Sequence, residues 1–325
     1  MKAQPTDVNF ACDSCIERAQ YTIKVIVHGV EGASFWQQVR QSVVQTATSL
    51  RINLQFSLYQ KFDPVQMAQD IRTEASCVPG RTCPDALIVS MPTVEVRDAV
   101  EEAITAGLAV FAMNAGGFYQ AELDNLLAFT GMDDFDAGIA AGKEALHLFE
   151  AQEESTNSVD SRNPAARLLF INHEKGNYVL EQRRLGIEEV FENAANLTRP
   201  VTLEELVLPL DVNQTEANRL VREAVGDCTY EVVVPGNTDY LQALLEIKAT
   251  ACANQNKDLI LGTFDTNLEV YENIAAGVLD FAISQEHWLQ ASMITLFAGL
   301  YATTGQWLQR STESDFGNYL TGSSI

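Results

Sequence analysis

The chain has 325 residues, of which 46% are hydrophobic and 20% charged, the composition of a soluble globular protein with room for two cores. With 21 basic against 44 acidic residues and a formal net charge of -23, it lacks the clustered positive charge that nucleic-acid phosphates or an anionic membrane surface require. No apolar run is long enough to span a bilayer.

Residues 1–20 are polar and Cys-bearing and read as an extended tail. The first seven lack an apolar signal core, so the protein is either cytoplasmic or begins after a removed signal peptide. Residues 23–28 are a β-branched run, a buried strand. Ser34 and Gln37 have the spacing of a capping box and open a helix that runs to about Ser49. A strand over 53–58 follows, then a helix that starts at Asp63-Pro64 and ends near Ser76. Residues 86–90 form a third strand, 94–107 a helix closed by Gly107, and 109–113 and 127–130 two more strands. Five strands with intervening helices make one doubly wound unit.

Residues 134–150 read as a helix whose small residues Ala137, Gly138, Ala140, Ala141 and Gly142 allow close packing, and 151–164 as a polar loop. The alternation then restarts. Strands over 167–172, 204–208, 230–234, 258–263 and 279–284 alternate with helices over 178–193, 215–224, 238–254, 266–277 and 287–303. This is a second unit of the same α/β design, without a repeat of sequence.

The six cysteines fall into sequence-near pairs: Cys12 with Cys15, Cys77 with Cys83, and Cys228 with Cys252. Such pairs suit disulfides in an oxidising compartment, and so an extracytoplasmic protein, periplasmic or extracellular, whose signal peptide is gone. Free thiols are the alternative. Zinc fits less well, because Cys12 and Cys15 have no second C-x-x-C partner. Two sequons, at Asn196 and Asn213, lean the same way as the cysteines.

In open parallel α/β sheets, ligands lie beyond the carboxyl ends of the strands. Here those junctions are His28 to Trp36, Asn114-Ala115, His173 to Asn177, Asn237 to Asp239, Asp265 and Gln285. They should converge on one small-molecule site. The chain has no nucleophile elbow, no Walker loop and no H-E-x-x-H, and Asn114-Ala115-Gly116-Gly117 falls short of a dinucleotide fingerprint. A binding protein is therefore expected rather than an enzyme, with no catalytic residue, no metal and no cofactor.

The order and junctions resemble the type 1 periplasmic binding proteins, most nearly the ribose-binding-protein-like group, over residues 21–312. The marks are Gly32 to Trp36, Pro84-Asp85 leading to Ser90, Val110 to Asn114, Thr130 to Asp134, Arg183 to Gly186, Leu261 to Asp265 and Ala282 to Gln285. The resemblance implies two lobes joined by three crossovers, near 132–134, 285–287 and 310–316, with a ligand clamped by hinge closure. The N-terminal lobe would take 21–132 plus 286–312, and the C-terminal lobe 133–285 plus 313–325.

Seven residues follow as ligand candidates. Phe35 and Trp36 match the family's aromatic pair, one of which can instead be core. Asn114 stands where sugar binders often have Asp, and Ala115 where the ribose-like pattern has Arg, a departure that argues against ribose itself. Glu181 stands where the family often has a ligand-binding Arg; it either takes bonds from the ligand or pairs with Arg183 or Arg184. Asn237 matches a ligand-contacting Asn. Asp265 is either a ligand carboxylate or the N-cap of the helix that follows it. Gln285 matches a hinge residue that also reaches ligand. Flat aromatic faces and planar carboxylates, amides and guanidinium groups are what a sugar ring and its paired hydroxyls require. The expected function is a solute-binding protein for a small sugar-like ligand, partnered by a membrane transporter. The alternative is the sensing ectodomain of a eukaryotic receptor, attached to its own membrane-anchored signalling region. No nucleic-acid partner is expected, since residues 1–20 are too short for a helix-turn-helix.

Overall fold

The computed structural model describes residues 8–10, 21–77, 83–120, 122–156, 165–195, 197, 199–210 and 212–305. The Cys12–Cys15 pair, the Asn196 sequon, the third crossover and residues 157–164 of the expected loop lie outside them. The chain forms two compact units. Of the described residues, one holds those before Asp133 and those from Glu286 to Gly305; the other holds Asp133–Gln285.

The first unit is built on a six-stranded sheet. Its strands are β1 (Val8–Phe10), β2 (Thr22–Val30), β3 (Asn53–Tyr59), β4 (Ala86–Val89), β5 (Val110–Met113) and β6 (Ala128–Thr130), in the order β1-β3-β2-β4-β5-β6. All neighbours are parallel except β1, which runs antiparallel along β3 with Val8 opposite Phe56. β1 falls within the stretch read as a tail; three residues are too few to show a period-two pattern. The helices are α1 (Ser34–Leu50), α2 (Pro64–Ala75), α3 (Val94–Thr105), the single turn α4 (Gly117–Gln120), and α10 (His287–Thr304).

Both faces of this sheet are covered, and side-chain alternation shows how. Ile23, Val25 and Val27 of β2 join Ile88 of β4 and Phe111 of β5 against α1 and α10. Ile26, Leu87, Val89, Val110 and Ala112 point the other way, onto Met67 and Ile71 of α2 and Val96 and Val100 of α3. One capping expectation fails. Ser34 is the first helical residue of α1, and Ala33, at the cap, offers no side-chain bond. Asp63 does cap α2, accepting the N–H of Gln66 at 3.0 Å.

The second unit has five parallel strands: β7 (Ala166–Asn172), β8 (Val201–Val207), β9 (Val232–Pro235), β10 (Ile260–Phe264) and β11 (Phe281–Ile283). Their order is β11-β10-β9-β7-β8. The helices are α5 (Asp134–Thr156), α6 (Tyr178–Glu192), α7 (Gln214–Val225), α8 (Leu241–Ile247), which runs on through a π-helical turn at Lys248–Cys252, and α9 (Leu268–Ala275). Residues 151–156, read as loop, continue α5. Leu169, Ile171, Val233 and Leu261 of the sheet pack on Val221 of α7, Leu244 of α8 and Val270 of α9.

Helices α5 and α6 meet along a seam of small residues. A Cβ on Gly138 would lie 2.2 Å from the Arg183 carbonyl oxygen, and one on Gly186 would lie 2.2 Å from that of Phe135. Neither position has room for a side chain. Cys77–Cys83 and Cys228–Cys252 form disulfides, with Cα separations of 5.6 and 5.3 Å, as the spacing predicts. Asn213 caps α7, accepting the N–H of Glu216 at 3.0 Å. Among the described residues no helix is long and apolar enough to cross a membrane, and no group of three or more His, Cys, Asp or Glu is placed to hold a metal ion.

Candidate functional site

In the second unit the carboxyl ends of β7, β9 and β10 carry the charged groups. Asp265 follows β10 in the left-handed conformation, φ 72°, a region that Asn and Asp enter more readily than most residues. Its N–H donates to Ile283 O at 3.0 Å, and its Oδ1 accepts a bond from the Gln285 amide, so two of the predicted residues meet directly. Asp265 does not cap α9. Asn267 does, accepting the N–H of Val270 at 2.9 Å, which leaves the Asp265 carboxylate to other work. Both Asp265 and Gln285 are buried. Burial pushes the Asp265 carboxyl up to about 6, against the pull of Arg183 and the Gln285 bond.

Arg183 organises this end of the unit. It is 2% exposed, donates from Nε to Asp134 Oδ1 and from Nη1 to Gly236 O, each at 3.0 Å, and lies 4.7 Å over the Phe264 ring. Burial raises the Asp134 carboxyl to about 6 despite that guanidinium. Glu174 is buried after β7, where its Oε2 accepts from the Asn177 amide at 2.6 Å while Asn177 caps α6. Its carboxyl is pushed up to about 7, by burial first. His173 beside it is held neutral, down to about 3, by burial and then by the charge of Arg183.

The other two predictions in this unit land differently. Asn237 spends its side chain on a local turn: its amide donates to Asp239 Oδ2 at 2.8 Å, and its Oδ1 accepts the Asp239 N–H at 3.1 Å. Glu181 takes the ion-pair alternative, 2.7 Å from Arg184, with its side chain 45% exposed.

In the first unit the groups are aromatic and neutral. Trp36 is buried in the core against the edge of the His28 ring, 4.7 Å between centroids, while His28 bonds Ser90 Oγ at 2.7 Å. Phe35 is half-buried, 5.1 Å from Trp36 and 4.8 Å from His287. Of the aromatic pair, Phe35 is the one that is not enclosed. Asn114 is buried, follows β5 at φ 63° and donates its N–H to Thr130 O at 2.9 Å. Ala115 is buried and accepts the N–H of Met91 at 2.8 Å.

The sequence reading took Arg183 only as part of a family mark and as one partner open to Glu181, and did not single out Glu174, Asp134 or His287. The partners of Arg183 come from α5 and from the turn after β9, not from its own helix. The available signal was the Arg183–Gly186 spacing, which puts the guanidinium on the same helix as the residue that lets α5 approach.

The model for a periplasmic binding protein domain matches residues 23–305. A periplasmic sugar-binding protein of an ABC sugar transporter from Legionella pneumophila superposes with a TM-score of 0.72 at 17% identity, covering 89% of this chain and 97% of its own. A carbohydrate transporter protein from Acidothermus cellulolyticus 11B, in complex with myo-inositol, gives 0.70 at 22% identity and 89% of each chain. An ABC transporter solute-binding protein from Burkholderia graminis C4D1M, in complex with D-arabinose, gives 0.69 at 13% identity, covering 89% and 91%. At these identities the likeness is one of fold. A search of curated protein sequences finds no match.

Proposed function

The chain belongs to the periplasmic binding protein domain family, and on that footing we propose that it is a solute-binding protein for a small polyhydroxylated ligand, a sugar or sugar-like polyol. The observation that carries the reading is the Asp265–Gln285 pair at the end of β10, beside the Arg183 guanidinium. A carboxylate, an amide and a guanidinium are planar groups that bond adjacent hydroxyls in pairs. Asp265 and Gln285 are the recognition groups of this reading in the second unit; in the first unit, taken by itself, the candidates are Asn114 and the ring face of Phe35. Asn237 and Glu181 are already engaged by neighbours and play a smaller part. The ligands of the Acidothermus and Burkholderia proteins, myo-inositol and D-arabinose, are of the proposed class. The two disulfides fit an extracytoplasmic setting, in which a membrane transporter is the natural recipient of the ligand.

The test is a thermal-shift panel under non-reducing conditions, with D-arabinose, myo-inositol, other pentoses and hexoses, nucleosides and amino acids. A ligand that binds only the folded state raises the melting temperature by mass action. A shift confined to sugars and polyols supports the reading; a shift with amino acids alone overturns it.

A further inference from the structure

His287 is the first residue of α10 and is 6% exposed. Its ring lies 4.8 Å from that of Phe35, and its Nε2 is 3.1 Å from Gln38 Oε1. An amide oxygen only accepts, so Nε2 carries the proton and donates. A neutral imidazole with Nε2–H has an acceptor lone pair on Nδ1. That atom is buried, and among the described residues it has no hydrogen-bond partner. Leaving a buried acceptor unmet is destabilising. Burial also opposes protonation of this ring, against the raising effect of Glu286, so Nδ1 keeps its lone pair near neutral pH.

We propose that His287 is a specificity-determining residue whose Nδ1 accepts a hydrogen bond from a ligand hydroxyl, next to the ring face of Phe35. The inference rests on the solute-binding reading above and deepens it. An acceptor-only nitrogen demands a donor, so a hydroxyl at this position on the ligand is selected and an ether, deoxy or carbonyl group there is rejected. Phe35 and His287 then act as a pair, one covering C–H and the other reading O–H.

The experiment compares wild type with His287→Phe, which keeps a ring against Phe35 and removes both nitrogens. D-Arabinose and myo-inositol are titrated by calorimetry, and the melting temperature of each ligand-free protein is measured. The expected result is a loss of affinity of about tenfold or more with a melting temperature equal to or above that of wild type, since an unmet polar atom has been removed. Unchanged affinity in a folded His287→Phe protein overturns the inference and leaves the solute-binding reading standing. Lower affinity together with a lowered melting temperature marks a structural residue and also overturns it. Where wild type binds neither polyol, the sugar or polyol that shifts its melting temperature in the panel above is titrated instead; binding of no sugar or polyol at all removes the reading and the inference together. Nitrogen-15 histidine spectra of the ligand-free protein provide a check that needs no ligand: Nε2 protonated and Nδ1 bare is expected, and a protonated Nδ1 overturns the inference.

Discussion

The two units share an architecture and differ in what they place at the carboxyl ends of their strands. In the first, Trp36, His28 and Phe35 pack ring against ring, and the polar groups Asn114 and His287 are neutral. In the second, Arg183 stands among Asp134, Glu174 and Asp265, three carboxyls whose burial raises each of them. The same scaffold thus hosts a ring-lined end and a charge-lined end. The parallel sheet sets where these groups stand, while the short strand-to-helix junctions set their chemistry.

That contrast can be broken at its two anchors. Arg183→Leu leaves buried carboxyls without their guanidinium and should cost about 3–5 kcal/mol in urea unfolding. Trp36→Ala should cost a similar 3–5 kcal/mol or so by emptying core volume. If Arg183→Leu were harmless while Trp36→Ala was not, the second unit would not depend on its charges as described.

Asp265→Asn keeps the shape and the left-handed backbone while removing the charge. Affinity for the polyol that wild type binds should fall about 100-fold by calorimetry, with the melting temperature within a few degrees of wild type. Unchanged affinity would take Asp265 out of the site.

The charged end also predicts a pH response. Glu174, Asp134 and Asp265 hold protons more tightly in the folded state than in the unfolded one, so their ionisation opposes folding. Lowering the pH from 8 to 6.5 should therefore stabilise the protein, by about 1 kcal/mol from Glu174, whose carboxyl is raised to about 7. His173, pushed down to about 3, works the other way as the pH falls through the unfolded imidazole's range: the unfolded chain protonates it and the folded one does not, which offsets part of the carboxyls' gain. The rise should continue below 6.5, where Asp134 and Asp265 also take up protons, both raised to about 6. Glu174→Gln should remove most of the gain between pH 8 and 6.5 in thermal melts, and a gain that persists in this variant would place its source elsewhere.

A modest effect is expected at the half-buried ring. Phe35→Ala should weaken polyol binding about tenfold and leave stability nearly unchanged, in contrast to Trp36→Ala beside it.

Much of this was legible in the sequence. Strands such as β2 and β5 announce themselves because they are buried on both faces and read as unbroken apolar runs. Cys77–Cys83 and Cys228–Cys252 follow from spacing. Asp265 and Gln285 were legible as candidates because each follows a strand. What stayed hidden is non-local. The grouping of Arg183 with Asp134 and Gly236 joins α6 to α5 and to the turn after β9, segments far apart in the chain. The sequence left open whether Asp265 caps α9, because Asp265 and Asn267 are equally good capping types; only the backbone puts the cap on Asn267. β1 was too short to show a pattern.

One backbone feature limits which residues the ends of two strands can carry. Asn114 and Asp265, one in each unit, both leave their strands with φ near +60 to +70°, at 63° and 72°. Side chains with a branched β-carbon fit that conformation poorly, and bulky ones are uncommon there. The alphabet at these two places is therefore short: Asn, Asp and Gly are admitted at low cost, and Val, Ile or Thr are not. Substitution at either place is confined to exchanging carboxylate for amide or deleting the side chain, a limit that residues with ordinary backbone, such as Phe35 and His287, do not carry.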